Sequence, residues 1–196
     1  LVSDSDGAVV TDNRLTATSN FAGLSLMYSD EALCARNRHL GPDGPGALGL
    51  YVYQCEDAAI LDNVLGPGGI LLDAYTPLAS AFDSHRIRGN TLSSGKPVYY
   101  RVNVPDLVVP SDVGQVILVG CARASVQGLE LANVRAGVHL FDSSDALVSD
   151  NRLLESGIRV QSSERATVHG NRVAGANTAI DLQGAGHQLF ERSGAV

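Results

Sequence analysis

The chain has 196 residues, 44% of them hydrophobic, and a formal net charge of -7. It is long enough to bury a core and too acidic to present the cationic surface that a nucleic-acid backbone requires. No run of about 18 apolar residues is present to span a bilayer, and Cys34, Cys55 and Cys121 make neither an even disulfide set nor a close CxxC pair.

The opening stretch, Leu1 followed by VSDSDGAVV, lacks the charged and apolar regions of a signal peptide. From Val2 to Leu15 the sequence VSDSDGAVVTDNRL superimposes without a gap on LFDSSDALVSDNRL at Leu140 to Leu153. The chain therefore starts in the middle of a repeat. That reading predicts a fragment of a longer solenoid, or an end covered by a partner, with uncapped strand edges open to end-to-end or edge association.

A short phrase, apolar, two variable residues, Asn, one variable residue, apolar, then recurs along the chain. It stands at VVTDNRL (Asn13), ILDNVL (Asn63), IRGNTL (Asn90), LVSDNRL (Asn151) and TVHGNRV (Asn171), with Asn37 in the same frame. Successive copies lie 20 to 27 residues apart, with a gap between Asn90 and Asn151. After each Asn comes a small residue and alternating apolar positions: GLSL at Gly23, GLYV at Gly49, GILL at Gly69, QVIL at Gln115, GVHL at Gly137, GIRV at Gly157 and AIDL at Ala179. Period-two alternation over so few residues marks a short strand with one buried face. A third run precedes each Asn, so the repeating unit is three short strands and three turns.

This period and pattern predict an all-β fold, a right-handed parallel β-helix of about seven coils in a single domain over 1–196. A leucine-rich repeat would need a regular LxxLxLxxN frame, which is absent. The recurring Asn is predicted as a structural corner, tolerant of left-handed backbone angles and able to bond its amide to the next coil's. In the gap, SVQGLEL (Ser125 to Leu131) puts Leu129 where Asn would stand, and NVPDLVVP (Asn103 to Pro110) supplies another corner.

The stretch from Asn90 to Asn151, with GKPVYY and GQVILVGC followed by GVHLFDSSDALVSDNRL, resembles the NosD-like proteins of the CASH group of carbohydrate-binding proteins and sugar hydrolases. The resemblance implies a parallel β-helix outside the cytoplasm, whether periplasmic, extracellular or at the cell surface. Members of that group include an accessory factor in copper-enzyme maturation, surface proteins, and relatives of polysaccharide lyases and epimerases.

Candidate chemistry is sparse. Asp12, Asp62 and Asp150 precede the Asn, and Arg14, Arg38, Arg152 and Arg172 follow it; the Asp12/Arg14 and Asp150/Arg152 spacings predict charge balancing on a solvated face. The paired-Asp and Gly-His-Gly motifs of polygalacturonase-like hydrolases and the Asp-Pro-His of mannuronan epimerases are absent, so no catalytic residue is assigned. His39, His85, His139, His169 and His187 fall at different places in the repeat and Met27 is alone, so no metal or other cofactor is expected. Cys55 and Cys121 share a column with Ser29, Ser143 and Ser163 and are read as small turn residues. The column with most promise is the outward letter of the second phrase: Tyr51, Leu71, Tyr99 or Tyr100, Ile117, His139, Arg159 and Asp181. Outward strand positions are ordinarily polar, so this apolar stripe predicts a surface for a polysaccharide or a cell-surface protein, unless the segment Asp73 to Ser84 folds back over it.

Overall fold

A computed structural model describes residues 1–16, 23–40, 49–75, 79–184, 189–191 and 194–195. The described residues form a parallel β-solenoid of about seven turns, organised as two compact units, Leu1–Val98 and Tyr99–Val196.

In the first unit three parallel sheets are each four strands deep. The first sheet stacks Val2–Ser3, Leu24–Met27, Leu50–Tyr53 and Ile70–Asp73; the second stacks Val9–Thr11, Leu33–Ala35, Ala59–Leu61 and Arg86–Arg88; the third stacks Arg14–Thr16, Arg38–Leu40, Val64–Leu65 and Thr91–Leu92. The second unit repeats the plan. Its first sheet runs through Gln115–Val119, Ala136–Phe141, Gly157–Gln161 and Ile180–Gln183, its second through Ser125–Gln127, Leu147–Ser149 and Thr167–His169, and its third through Glu130–Ala132, Arg152–Leu154 and Arg172–Ala174. Register is in step from coil to coil: Ile117, His139, Arg159 and Asp181 are successive partners, as are Val116, Val138, Ile158 and Ile180.

The strands are short because each supplies one inward residue or two, and these stack on their equivalents. Val126, Val148 and Val168 form one fully buried column and Val116, Val138 and Ile158 another. Inside the gap in the Asn phrase, Leu107 to Val109 fills a further layer: the Ser125 N–H donates to Leu107 O at 2.7 Å, the Val109 N–H donates to Ser125 O at 3.0 Å, and Val109 joins the second unit's core.

The Asn residues are bonded as a ladder, but their corner geometry differs from the expectation. The left-handed residue is the one before the Asn: Asp12, Arg36, Asp62, Gly89, Gly128, Asp150 and Gly170 all have φ between 54° and 69°. That conformation turns the preceding N–H along the solenoid axis, so that Asp12 N donates to Ala35 O, Arg36 N to Leu61 O and Asp62 N to Arg88 O. The Asn side chain then closes the corner. Asn63 Nδ2 donates to Cys34 O at 3.0 Å and to Asn90 Oδ1 at 2.9 Å, while its Oδ1 accepts the Asn37 N–H at 2.9 Å. Asn13 bonds Asn37 in the same way, and Asn151 bonds Asn171. Leu129 ends the second unit's ladder with its backbone alone, its N–H donating to Asn151 Oδ1 at 2.9 Å.

A second ladder runs through the Ser and Cys column. Ser29 N donates to Cys55 Sγ, Cys121 N to Ser143 Oγ and Ser143 N to Ser163 Oγ, and each hydroxyl or thiol donates in turn to the carbonyl two residues back. All three cysteines are buried and unoxidised.

Asn63 is buried and its side chain holds two coils to its own, so Asn63→Ala strands the Asn37 N–H and the Cys34 carbonyl in the core and is expected to cost about 3 kcal/mol. Asn13, at the exposed end of the same ladder, should cost less than about 1 kcal/mol when changed to Ala. Urea unfolding of the two variants measures the difference; equal losses would mean that the ladder is incidental.

Candidate functional site

The predicted outward column does lie in register, but much of it is not open surface. In the second unit Asn103 N donates to Val119 O just as Gly120 N donates to Phe141 O, which sets Tyr100 beside Ile117 on the outward face and Tyr99 beside Val116 on the inward one. Tyr99 packs against the core, with the Arg101 guanidinium 4.2 Å above its ring. Tyr100, Ile117 and His139 are buried, the last two to 1% exposure. A ligand approaching from solvent therefore cannot stack on them, and the idea of a continuous open stripe through these positions is corrected. Arg159 and Asp181 remain partly accessible and pair at 3.2 Å.

His139 is a member of a polar chain. Its Nε2 lies 2.7 Å from Gln161 Oε1, and Gln161 Nε2 donates to Gln183 Oε1 at 2.8 Å. Burial, with the Arg159 cation adding to it, pushes the imidazole down to about 4, so it is neutral.

The first unit gathers the accessible aromatic side chains. Tyr51 and Tyr53 are alternate residues of one strand and so share its outward face. Their register partners on one side are Ser25 and Met27, and on the other Leu71 and Asp73. Tyr28, a left-handed corner residue, sets its ring edge-on to Tyr53 at 5.4 Å and 88°, and Tyr51 stacks on Tyr53 at 5.8 Å and 27°. The Tyr51 hydroxyl donates to Asp73 Oδ2 at 3.4 Å. Tyr75 is held nearby through its backbone, its N–H donating to the side chain of Gln54, the residue after Tyr53. Tyr75 is 88% exposed and Tyr28 50%. Loss of solvent, then the bond to Tyr28 and the neighbouring Asp73 and Tyr75, raise the Tyr53 phenol above its usual range.

Only Tyr51 and Leu71 of this patch stood in the predicted column, and Leu71 is buried. Tyr53 was legible by period two from Tyr51. Tyr28 and Tyr75 sit on turns, where the strand pattern says nothing. Of the segment Asp73 to Ser84, residues 76–78 lie outside the described residues; beyond them a short helix, Ser80–Asp83, packs on the Ile70–Asp73 strand with Phe82 fully buried.

The acid/base spacings also pair otherwise than expected. Asp12 meets Arg36 of the next coil in a two-pronged ion pair at 2.7 and 2.8 Å, and the same arrangement joins Asp106 to Arg123 and Asp145 to Arg165. These pairs link left-handed corners of adjacent coils, which brings their side chains side by side at every turn, whereas Asp12 and Arg14 are neighbours in sequence only.

No group of three His, Cys, Asp or Glu able to hold a metal occurs among the described residues. Burial raises the Cys34 thiol to about 11, keeping it protonated. His39 replaces leucine in the inward column shared with Leu15, beside a small cavity lined by Leu24 and Leu50, and neither ring nitrogen has a hydrogen-bond partner. Burial lowers its pKa, as it does that of His85. A base depressed in the folded state gives full stability above its unfolded value of 6.5 and loses it as pH falls toward the folded value. For His139 the loss between pH 6.5 and 4 is about 3 kcal/mol. Urea midpoints should fall steadily over that window, and His139→Gln should flatten the second unit's share of the slope; a midpoint independent of pH there would contradict the buried neutral assignment.

Comparison with known proteins bears on the second unit. Residues 101–189 match the family model NosD, described as "Periplasmic copper-binding protein (NosD)". No curated protein matches the chain. Among solved structures, QnrB1, a plasmid-mediated fluoroquinolone resistance protein, is 10% identical over 93% of this chain and 92% of its own, with a TM-score of 0.20. HetL, a pentapeptide repeat protein involved in heterocyst differentiation regulation from the cyanobacterium Nostoc sp. Strain PCC 7120, is 15% identical over 97% of this chain and 90% of its own, also at 0.20. Scores this low equate neither fold with this one. Among the described residues of the matched stretch, Cys121 is buried with its thiol bonded to the carbonyls of Val119 and Arg101, and His139 is bonded to Gln161; His187 lies outside the described residues. The match spans residues 101–189, under half of the chain, and over that stretch the stacked parallel coils are similar to the NosD-like β-helix repeat.

Proposed function

We propose that the chain is an extracytoplasmic binding module whose contact surface is the outer face of the first unit's first sheet, and that this surface takes a glycan. The observation that carries the reading is the gathering of Tyr28, Tyr51, Tyr53 and Tyr75, four of the chain's six tyrosines, around Asp73 on one side of a rigid sheet. Aromatic faces beside a carboxylate acceptor suit the apolar faces and hydroxyls of a sugar, and a parallel sheet fixes Tyr51 and Tyr53 without a cost in loop ordering. Extracytoplasmic placement is supported by the periplasmic description of the matched family. Among the described residues no helix is long and apolar enough to cross a membrane.

A second reading is an accessory role in copper-enzyme maturation, favoured by the NosD match. Here the chain would act by docking rather than by holding the metal. A copper reductase and an ABC transporter encoded beside this gene would favour it. An enzymatic reading, a CASH-type lyase, hydrolase or epimerase, is tested by turnover of uronate polymers in an absorbance assay.

On a glycan array the wild type should retain a subset of sugars. Tyr53→Ala should lower that retention at least about tenfold, the effect of one lost stacking ring in a small site, while Tyr99→Ala, on the inward side of the other unit, should leave it unchanged. Retention that survives Tyr53→Ala would remove this face as the contact surface, and turnover by the wild type would replace the binding module with an enzyme.

A further inference from the structure

His39 occupies an inward position of the third sheet that the neighbouring coils fill with leucine. Leu15 is its register partner on the coil before, and on the coil after, Leu65 follows Val64, the partner of Arg38. The histidine is 5% exposed, and neither Nδ1 nor Nε2 has a hydrogen-bond partner. Its ring lies in a slot between two glycines: a Cβ on Gly23 would collide with the edge that carries Nε2, and a Cβ on Gly66 with Nδ1. Leu24, Leu50 and Leu65 border the small cavity beside the ring, together with Cys34 and the corner residues Asn37 and Asn63. Among these described residues Cys34 is the titratable one, and its thiol, raised to about 11 by burial, carries no charge. Arg14 and Arg38 of the two stacked strands are exposed on the outward side, Tyr51 and Tyr53 face outward from theirs, and Asp12 and Arg36 at the adjoining corners are taken up by each other. No anion faces the ring from the described elements packed against it.

A neutral imidazole can stand in this slot as a flat filler. Its cation cannot, because it brings a full charge and two N–H donors into a space that holds no acceptor for them. Burial alone keeps the proton off. The ring is therefore neutral and in place above its ordinary value of 6.5, and as pH falls below that value the proton is taken up with the ring out of its slot. The slot bears on the outer surface because Leu24 and Leu50, which border the cavity, begin the strands Leu24–Met27 and Leu50–Tyr53, and the second of these carries Tyr51 and Tyr53 on its other face. Resting on the glycan-binding surface proposed above, we infer that His39 is an acid-sensitive plug: on taking up a proton it leaves the slot, both strands lose their inward packing, and the glycan on the outward face is released. A chain outside the cytoplasm meets the pH of its surroundings, so the surface retains its ligand in neutral conditions and gives it up in acid.

The probe is an uncharged glycan retained by the wild type, so that the ligand itself does not titrate. From about pH 7.5 down to about pH 5, wild-type retention is expected to fall at least about tenfold. Amide exchange over 24–27 and 50–53, measured against the unfolded rate at each pH, should lose protection in the same range. His39→Leu restores the residue of the neighbouring coils, and His39→Gln is a polar variant that takes up no proton, for use should leucine overfill the slot. Both should hold retention within about twofold across the range. His85, a second buried base of the first unit, has both nitrogens bonded, to Ala58 N and Ala81 O, and stays unchanged in both variants, so a response that it alone causes persists in them. An acid response undiminished in His39→Leu and His39→Gln overturns the plug. Level wild-type retention across the range, with retention still lost in Tyr53→Ala, also overturns it and leaves the surface standing. If Tyr53→Ala has no effect on retention, the surface is wrong and exchange alone decides the acid opening: protection lost in the wild type but kept in both variants upholds it, and equal loss in all three overturns it.

Discussion

Everything in this molecule depends on one requirement, that each turn of the coil must pass its backbone N–H groups to the carbonyls of the next turn. Strands satisfy this by register. Corners satisfy it where a residue adopts left-handed angles, which eighteen non-glycine positions among the described residues do, as well as glycines. Such a conformation costs an L-residue about 1 kcal/mol, and is held because an N–H left unbonded in the corner would cost at least as much. Side-chain ladders of Asn, and of Ser with Cys, satisfy the corner groups that the backbone cannot reach. Function follows from this stiffness: a residue on the outer face of a strand keeps its place relative to its neighbours on the adjoining coils.

The periodic part of this was legible from the residues. The three-strand unit, the Asn frame, the Leu129 interruption and the Ser/Cys column all repeat at a fixed offset, and a repeat is visible without coordinates. Which residue of the corner is left-handed was not legible, because Asp, Arg and Gly share that position and Asn, the residue known to tolerate it, stands one place later. For the same reason Asp12 looked like the partner of Arg14. Its place on a left-handed corner instead sets it against Arg36, whose own corner is stacked on it in the next coil.

The outward column shows where such a reading stops. Registration from Ile117 to Asp181 can be counted from the repeat, but burial of an outward position depends on what lies over it, and nothing in the period carries that. Ile117 and His139 are as deeply buried as the core. The tyrosine patch lay partly outside the pattern because Tyr28 and Tyr75 belong to turns, and they join Tyr53 through a corner angle and a backbone bond to Gln54. Irregular positions carry the accessible chemistry here, and the regular ones hold them still.

The central claim is that the first unit's tyrosine patch is where this protein meets its ligand. Tyrosine rings labelled with carbon-13 give six sets of aromatic signals, one set per residue, and their shifts on adding a glycan retained by the wild type test the claim most directly. The account predicts that Tyr28, Tyr51, Tyr53 and Tyr75 move together while Tyr99 and Tyr100 stay in place. Movement of Tyr99 and Tyr100 with the other four unchanged would contradict it.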